Sequence, residues 1–230
     1  MKITVTYPES WAEIKYSQYL KYYKQVKPYE GTDEFERVNL ETAALYFCNV
    51  PAEYLYSLPK NTFDKITECL LKLFSEHKTL PLVTSFAVEN TNYGFIPELD
   101  EMTYGEYLDL INYTSKDMWE NIPLSFSILY RPTVHQLGKQ YTIQPYTGTN
   151  DDRIELFKHV LTMDVVFGAV AFFLGLQKDL QAGILTYSLK LMENKTDPRI
   201  SQALQDLQRN GVDITQLQSF LTMTSQNLTA

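Results

Sequence analysis

The side chains of this sequence that could do chemistry are few and scattered. Its three histidines, His77, His135 and His159, stand far apart, with no HExxH and no short-spaced ligand pair around them, so no metal site is expected. The phosphate-cradling loops GxGxxG and GxxxxGK are both absent. Asp164 is a lone carboxylate at the head of an apolar run. It reads either as an acid–base group with a pKa raised by burial, or as a cap that accepts the free amides of a helix starting at Val165. Glu98, Asp100 and Glu101 offer paired carboxylates, but their place before a helix start also fits capping and solvation. Arg131 sits in Tyr130-Arg131-Pro132 at the end of a helical stretch. There it can neutralise the helix C-terminus or anchor a partner carboxylate. No catalytic, cofactor-binding or metal-binding residue is assigned from these patterns, and the protein is expected not to be an enzyme.

The stretch that must position the rest is Leu161 to Leu176, LTMDVVFGAVAFFLGL, apolar or glycine throughout from Val165. Twelve helical residues rise about 18 Å, short of the roughly 30 Å hydrocarbon core of a bilayer. The run therefore predicts a helix buried on most sides, with Phe167, Gly168, Phe172 and Phe173 in the core. A buried strand is the alternative, but the length argues for a helix. No contact with a membrane is expected.

Composition narrows the class of function. The apolar fraction of 44% suits a folded globular chain. A net charge of -8, from 28 acidic and 20 basic residues, argues against tracking nucleic-acid phosphates and permits a basic protein partner. Lys15, Lys21, Lys24 and Lys27 cluster on the polar face of one predicted helix, where they can meet phosphate, an acidic partner or solvent. Cys48 and Cys69 form no CxxC pair and sit among apolar residues, so they read as buried free thiols in a reducing compartment. Met1 to Ser10 lacks the apolar core of a secretory leader, which points to the cytoplasm or an assembled particle. The aromatic content is tyrosine-heavy, 17 Tyr and 12 Phe. Tyrosine buries area while keeping a polar handle, so such residues serve packing or a binding surface.

Helical spacing is read over residues 18–25, 32–47, 63–76, 104–111, 123–130 and 151–161, and again at 180–193, from Pro198 and from Asp213. Thr103 followed by Glu106 matches a capping box. Residues 80–95 alternate and turn at Asn90-Thr91-Asn92, which predicts a hairpin that a short strand at 2–6 could join. Residues 133–148 carry Gly138, Pro145 and Gly148 and read as an exposed contact loop, with a short strand at Gln140–Ile143. A faint repeat links Tyr16-Ser17-Gln18-Tyr19-Leu20 to Tyr104-Gly105-Glu106-Tyr107-Leu108, 88 positions on. It reads as two related halves or as coincidence between two amphipathic helices.

Four segments carry a resemblance. Asn121 to Pro132, NIPLSFSILYRP, leads through a tyrosine-containing loop to Asp164–Leu176, DVVFGAVAFFLGL. The pattern resembles small helical proteins of tailed phages, of the tail-assembly chaperone-like and baseplate-hub-assembly-like kinds. It is carried by Leu129, Tyr130, Arg131, Pro132, Gly168, Phe172 and Phe173. The N-terminal stretch and YGFIPELDEMTYGEYLDL, Tyr93 to Leu110, also resemble uncharacterised proteins of crAss-like phages. The resemblance spans about two thirds of the chain and carries over no catalytic residue. It implies a role in tail or baseplate assembly, or a minor place in the virion.

The reading that results is a mainly α fold, a helical domain with a small β-hairpin or short antiparallel sheet. Residues 1–98 are expected to form one helical half and 99–230 a second around the buried helix 161–176, sharing one core and related through the repeat. The expected function is protein–protein contact in phage tail or baseplate assembly, in the host cytoplasm or the virion. The partner would be a tail, tape-measure or other virion protein. The candidate partner contacts are Tyr16, Tyr19, Tyr23, Tyr104, Tyr107, Arg131, Tyr141 and Tyr146. A homo-oligomer, a permanent minor virion subunit, a small hydrolase and a host-directed inhibitor are the alternatives.

Overall fold

The computed structural model describes residues 4–76, 80–114, 117–138 and 140–175. The chain divides into two units, Met1–Ala171 with Ala230, and Phe172–Thr229. The architecture below is that of the first, with residues 172–175 the described part of the second.

Helices α1 (Tyr16–Val26), α2 (Phe35–Phe47), α3 (Ala52–Leu55) and α4 (Lys60–Glu76) come first. Strands β1 (Ser85–Val88) and β2 (Thr91–Phe95) follow. After α5 (Tyr104–Thr114) and α6 (Ile122–Leu129), strands β3 (Tyr130–Leu137) and β4 (Gln140–Ile143) complete the sheet. α7 (Asp151–Val160) and a helix over residues 163–175, α8, end the described chain. The sheet is antiparallel in the order β1-β2-β3-β4, with α5 and α6 inserted between its two hairpins. The fold is therefore mainly helical with a four-stranded sheet, a mixed rather than an all-helical class. The helices expected at 180–193 and from Pro198 and Asp213 lie outside the described residues.

Two aromatic cores result. In the helical layer Trp11 is fully enclosed. Its ring meets Phe167 edge-on at 4.7 Å and Phe47 at 6.0 Å, and its indole N–H donates to Leu73 O at 2.8 Å. Edge-to-face packing aims the positive ring edge at a negative face and adds to area burial. Beneath the sheet, alternation places Phe86, Tyr93, Phe95 and Tyr130 on one face. Phe157 of α7 packs on that face, 5.2 Å from Tyr93 and 5.8 Å from Phe86. Phe126 of α6 stacks on Tyr130 at 5.2 Å.

The long apolar run is a helix, with residues 165–170 all buried. It does not continue α7. The chain breaks at Leu161–Thr162, where a two-stranded bridge ties it to the start of α1. Tyr16 N donates to Leu161 O at 2.9 Å and Met163 N to Ile14 O at 2.8 Å. Gly168 lies against the backbone at Pro81 and Leu82: a Cβ there would overlap the Pro81 carbonyl oxygen and stand 3.1 Å from its carbon. Phe167 is buried, while Phe172 and Phe173 keep partial exposure, their rings 5.5 Å apart.

Two local expectations change. The described part of the proposed N-terminal strand, residues 4–6, is not in the sheet; Thr6 N instead donates to Cys48 O at 2.9 Å. The segment read as a contact loop is largely hairpin, since β3 runs straight out of α6. Pro132 is tolerated there because it stands where β3 changes partner, from β2 at Tyr130–Pro132 to β4 from Thr133 onward. An irregularity between Thr133 and His135 marks the switch.

Cys48 is fully buried and its thiol is pushed up to about 12, first by burial and then by Cys69. Cys69 is raised as well, chiefly by burial, and its thiol donates to Pro8 O at 3.2 Å. Only a thiolate attacks a disulfide reagent. Ellman's reagent at about pH 8 is therefore expected to leave Cys48 unlabelled in the native protein and to label both cysteines in urea. Rapid native labelling of Cys48 would contradict this packing.

Candidate functional site

Two features of α5 organise the candidate site: a buried ion pair on its inner side and an apolar stripe on its outer side. The helix starts as a capping box. Thr103 N and Thr103 Oγ1 both donate to Glu106 Oε2 at 2.6 Å, and Glu106 N donates to Thr103 Oγ1 at 3.3 Å. This turns Glu106 inward, where its Oε1 meets Arg131 Nη2 at 2.5 Å. Both residues are buried, Glu106 at 3% and Arg131 at 6% exposure. Burial lowers the Arg131 pKa, and Glu106 works against that shift by charge and hydrogen bond.

A strap over residues 144–150 crosses the pair. Tyr146 OH donates to Asp109 Oδ2 at 2.5 Å, and the Tyr146 ring lies 5.8 Å from the Arg131 guanidinium. Arg153 anchors the strap, donating to Ser127 O at 2.9 Å and to Gln144 Oε1 at 3.1 Å. α7 begins at Asp151 as its spacing predicts, and Asn150 caps it, its Oδ1 accepting Arg153 N at 2.8 Å. Glu106 accepts from Thr103 on one oxygen and pairs with Arg131 through the other, so the carboxyl group is committed to holding the fold. The cluster fixes α5 against β3; it is an internal tether.

The tyrosines separate by role. Tyr16 and Tyr23, expected at a partner surface, are buried instead. Tyr16 OH donates to Trp119 O at 2.7 Å, and burial raises its pKa. The Tyr23 ring packs 5.9 Å from Trp119, with Lys27 Nζ 5.0 Å above it. Tyr19 keeps an accessible edge but sits between Trp119 at 5.0 Å and Phe167 at 5.3 Å. Arg131 is likewise inside, as the partner of Glu106. Tyr141 and Tyr146 are half-buried; Tyr141 OH donates to Phe95 O at 2.8 Å and Thr84 O at 3.0 Å, laying its ring across Gly94. Of the eight candidate contacts, Tyr104 and Tyr107 remain outward on α5, at 75% exposure and half-exposed respectively.

Lys24 pairs with Glu120 at 2.6 Å and Lys27 with Asp117 at 2.8 Å, so both lysines border the segment at 117–120 whose Trp119 covers the α1 tyrosines. On α5 the acids Glu106 and Asp109 take the inner side, and the apolar residues are turned out: an inversion that only the distant Arg131 and Tyr146 explain.

Asp164 stands in the first turn of α8, which begins one residue before it. It therefore lies inside the helix rather than at the cap position, and its buried Oδ1 has no hydrogen-bond partner among the described residues. A carboxylate in this turn still faces the positive end of the helix. His135 lies on β3 and His159 on α7, where it contacts Glu155 Oε1 at 3.1 Å; His77 lies outside the described residues. Among the described residues no group of three His, Cys, Asp or Glu could hold a metal ion, and no helix is long and apolar enough to cross a membrane.

No protein-family model, curated protein or solved structure matches this chain.

Proposed function

We propose that this protein acts without catalysis, by protein–protein contact in the assembly of a phage tail or baseplate. The observation that carries the contact role is the outward stripe of α5, where Tyr104 and Leu108 stand exposed with Tyr107 and Ile111 half-exposed beside them. A folded unit that leaves such a stripe in water offers it to a partner. The phage setting rests on the resemblance carried by NIPLSFSILYRP and DVVFGAVAFFLGL. The partner is a tail, tape-measure or other virion protein, met in the host cytoplasm and shielded there until it assembles.

A permanent place in the virion is the second reading. The β3–β4 hairpin favours it, because Val134 and Leu137 stand exposed toward its tip, as on an arm that neighbouring subunits could enclose. Two related halves dividing near residue 98 belong to the same proposal. α1 and α5, each eleven residues long and each opening on the paired tyrosine, support it. The burial of Tyr16 against the exposure of Tyr104 counts against it.

The test is a pull-down of tagged protein from infected cells, with mass spectrometry of the bound fraction and of purified virions. A tail or tape-measure protein in the bound fraction, with this chain missing from virions, is the expected result. Fixed stoichiometry in virions would select the permanent subunit. Absence of any virion protein from the bound fraction, and of this chain from virions, would overturn both.

A further inference from the structure

We infer that the outer face of α5 is a docking site for a basic amphipathic helix of another protein. The inference deepens the protein-contact reading and rests on it. Tyr104, Leu108 and Ile111 recur at four and three positions, a single stripe along the helix. Among the described elements α5 packs chiefly on α6, through its other side. Glu106 and Thr114 are buried there, and Asp109 is held by Tyr146, so the helix cannot roll to hide the stripe.

The chemistry of the occupant follows from the rim. Glu98, Asp100 and Glu101 form the turn that leads into α5, all three are exposed, and none makes an ion pair with a described residue. No lysine or arginine occurs from Pro97 to Thr114. An apolar stripe with three unpaired carboxylates at one end selects a partner with leucine-like residues on one face and Lys or Arg beside them. The Tyr104 ring adds a face on which a guanidinium or ammonium can rest. A second acidic copy of this chain would bring like charges together at the same rim.

The test uses the full chain and two synthetic helical probes of about 18 residues, or five turns. One carries leucines at i, i+3, i+4 and i+7 flanked by Lys and Arg; the other has the same leucines flanked by Glu. Fluorescence anisotropy is read for the wild type, for L108S/Y104S, and for E98Q/D100Q/E101Q. The basic probe is expected to bind the wild type, to lose affinity as salt rises, and to bind each variant about tenfold or more weakly. The acidic probe is expected not to bind. Equal binding of both probes, no binding to the wild type, or undiminished binding to the variants would overturn the inference. So would a concentration-dependent dimer abolished by L108S/Y104S, which would make the occupant a second copy. A fall in Tm for L108S/Y104S would do the same, by showing the stripe to be internal packing. The pull-down separates the two levels: virion proteins retained by the α5 variants would leave the assembly role standing and sink this face. Probe binding without any virion partner would do the reverse.

Discussion

Replacing Arg131 with Met is expected to lower the free energy of unfolding by about 3–5 kcal/mol, the range for breaking a buried ion pair from one side. Glu106 would lose its guanidinium partner while staying at 3% exposure, keeping the Thr103 donors. The size of the effect comes from the buried group left without its partner rather than from the worth of the pair. For that reason E106Q/R131M should recover most of the loss. Gln keeps the capping-box acceptor for Thr103 while removing the charge. Urea unfolding followed by circular dichroism measures both variants. Strictly additive losses would show that the two groups are not coupled and would sink this account.

The second large effect is expected at Gly168. Alanine is ordinarily the better helix former by about 1 kcal/mol, so Gly168→Ala should stabilise α8 if propensity decided the matter. The added Cβ would instead overlap the Pro81 carbonyl oxygen, which is backbone and cannot turn aside as a side-chain tip can. Either α8 or the chain at 81–82 must move. Overpacking of this kind costs about 1–3 kcal/mol and more where the neighbour is rigid. A net loss of about 2 kcal/mol or more in thermal or urea unfolding is the expected outcome. Unchanged or increased stability would mean that the two segments do not meet as described.

What was legible in the sequence was local. The Thr103–Glu106 capping box lies within one helical turn and forms as spacing predicts. The apolar run at 165–175 is a helix because nothing within it could serve as a turn. The partner of Glu106 was not legible. Arg131 is remote in sequence, and only the β3 register brings it under α5. Tyr16 and Tyr104 open similar peptides, yet one is enclosed by Trp119 and the other faces out. Amphipathic spacing tells that a helix has two faces; the neighbours decide which is inside. β3 escaped recognition because its outer half does not alternate, Val134 and Leu137 being three apart, and Pro132, Gly138, Pro145 and Gly148 punctuate the segment like a loop. The strand read at Gln140–Ile143 is β4, while its partner β3 reads as loop, so the sheet has four strands where the hairpin at 80–95 supplies two.

The bridge between Ile14–Tyr16 and Leu161–Met163 bears on how the chain reaches this state in time. Its two halves leave the ribosome almost a whole unit apart, and Phe167 must arrive before Trp11 is enclosed. Closing so long a segment is entropically slow and leaves the early aromatic helices without their cover while synthesis continues. The N-terminal helices are therefore expected to remain chaperone clients until α8 has emerged and is seated against Trp11.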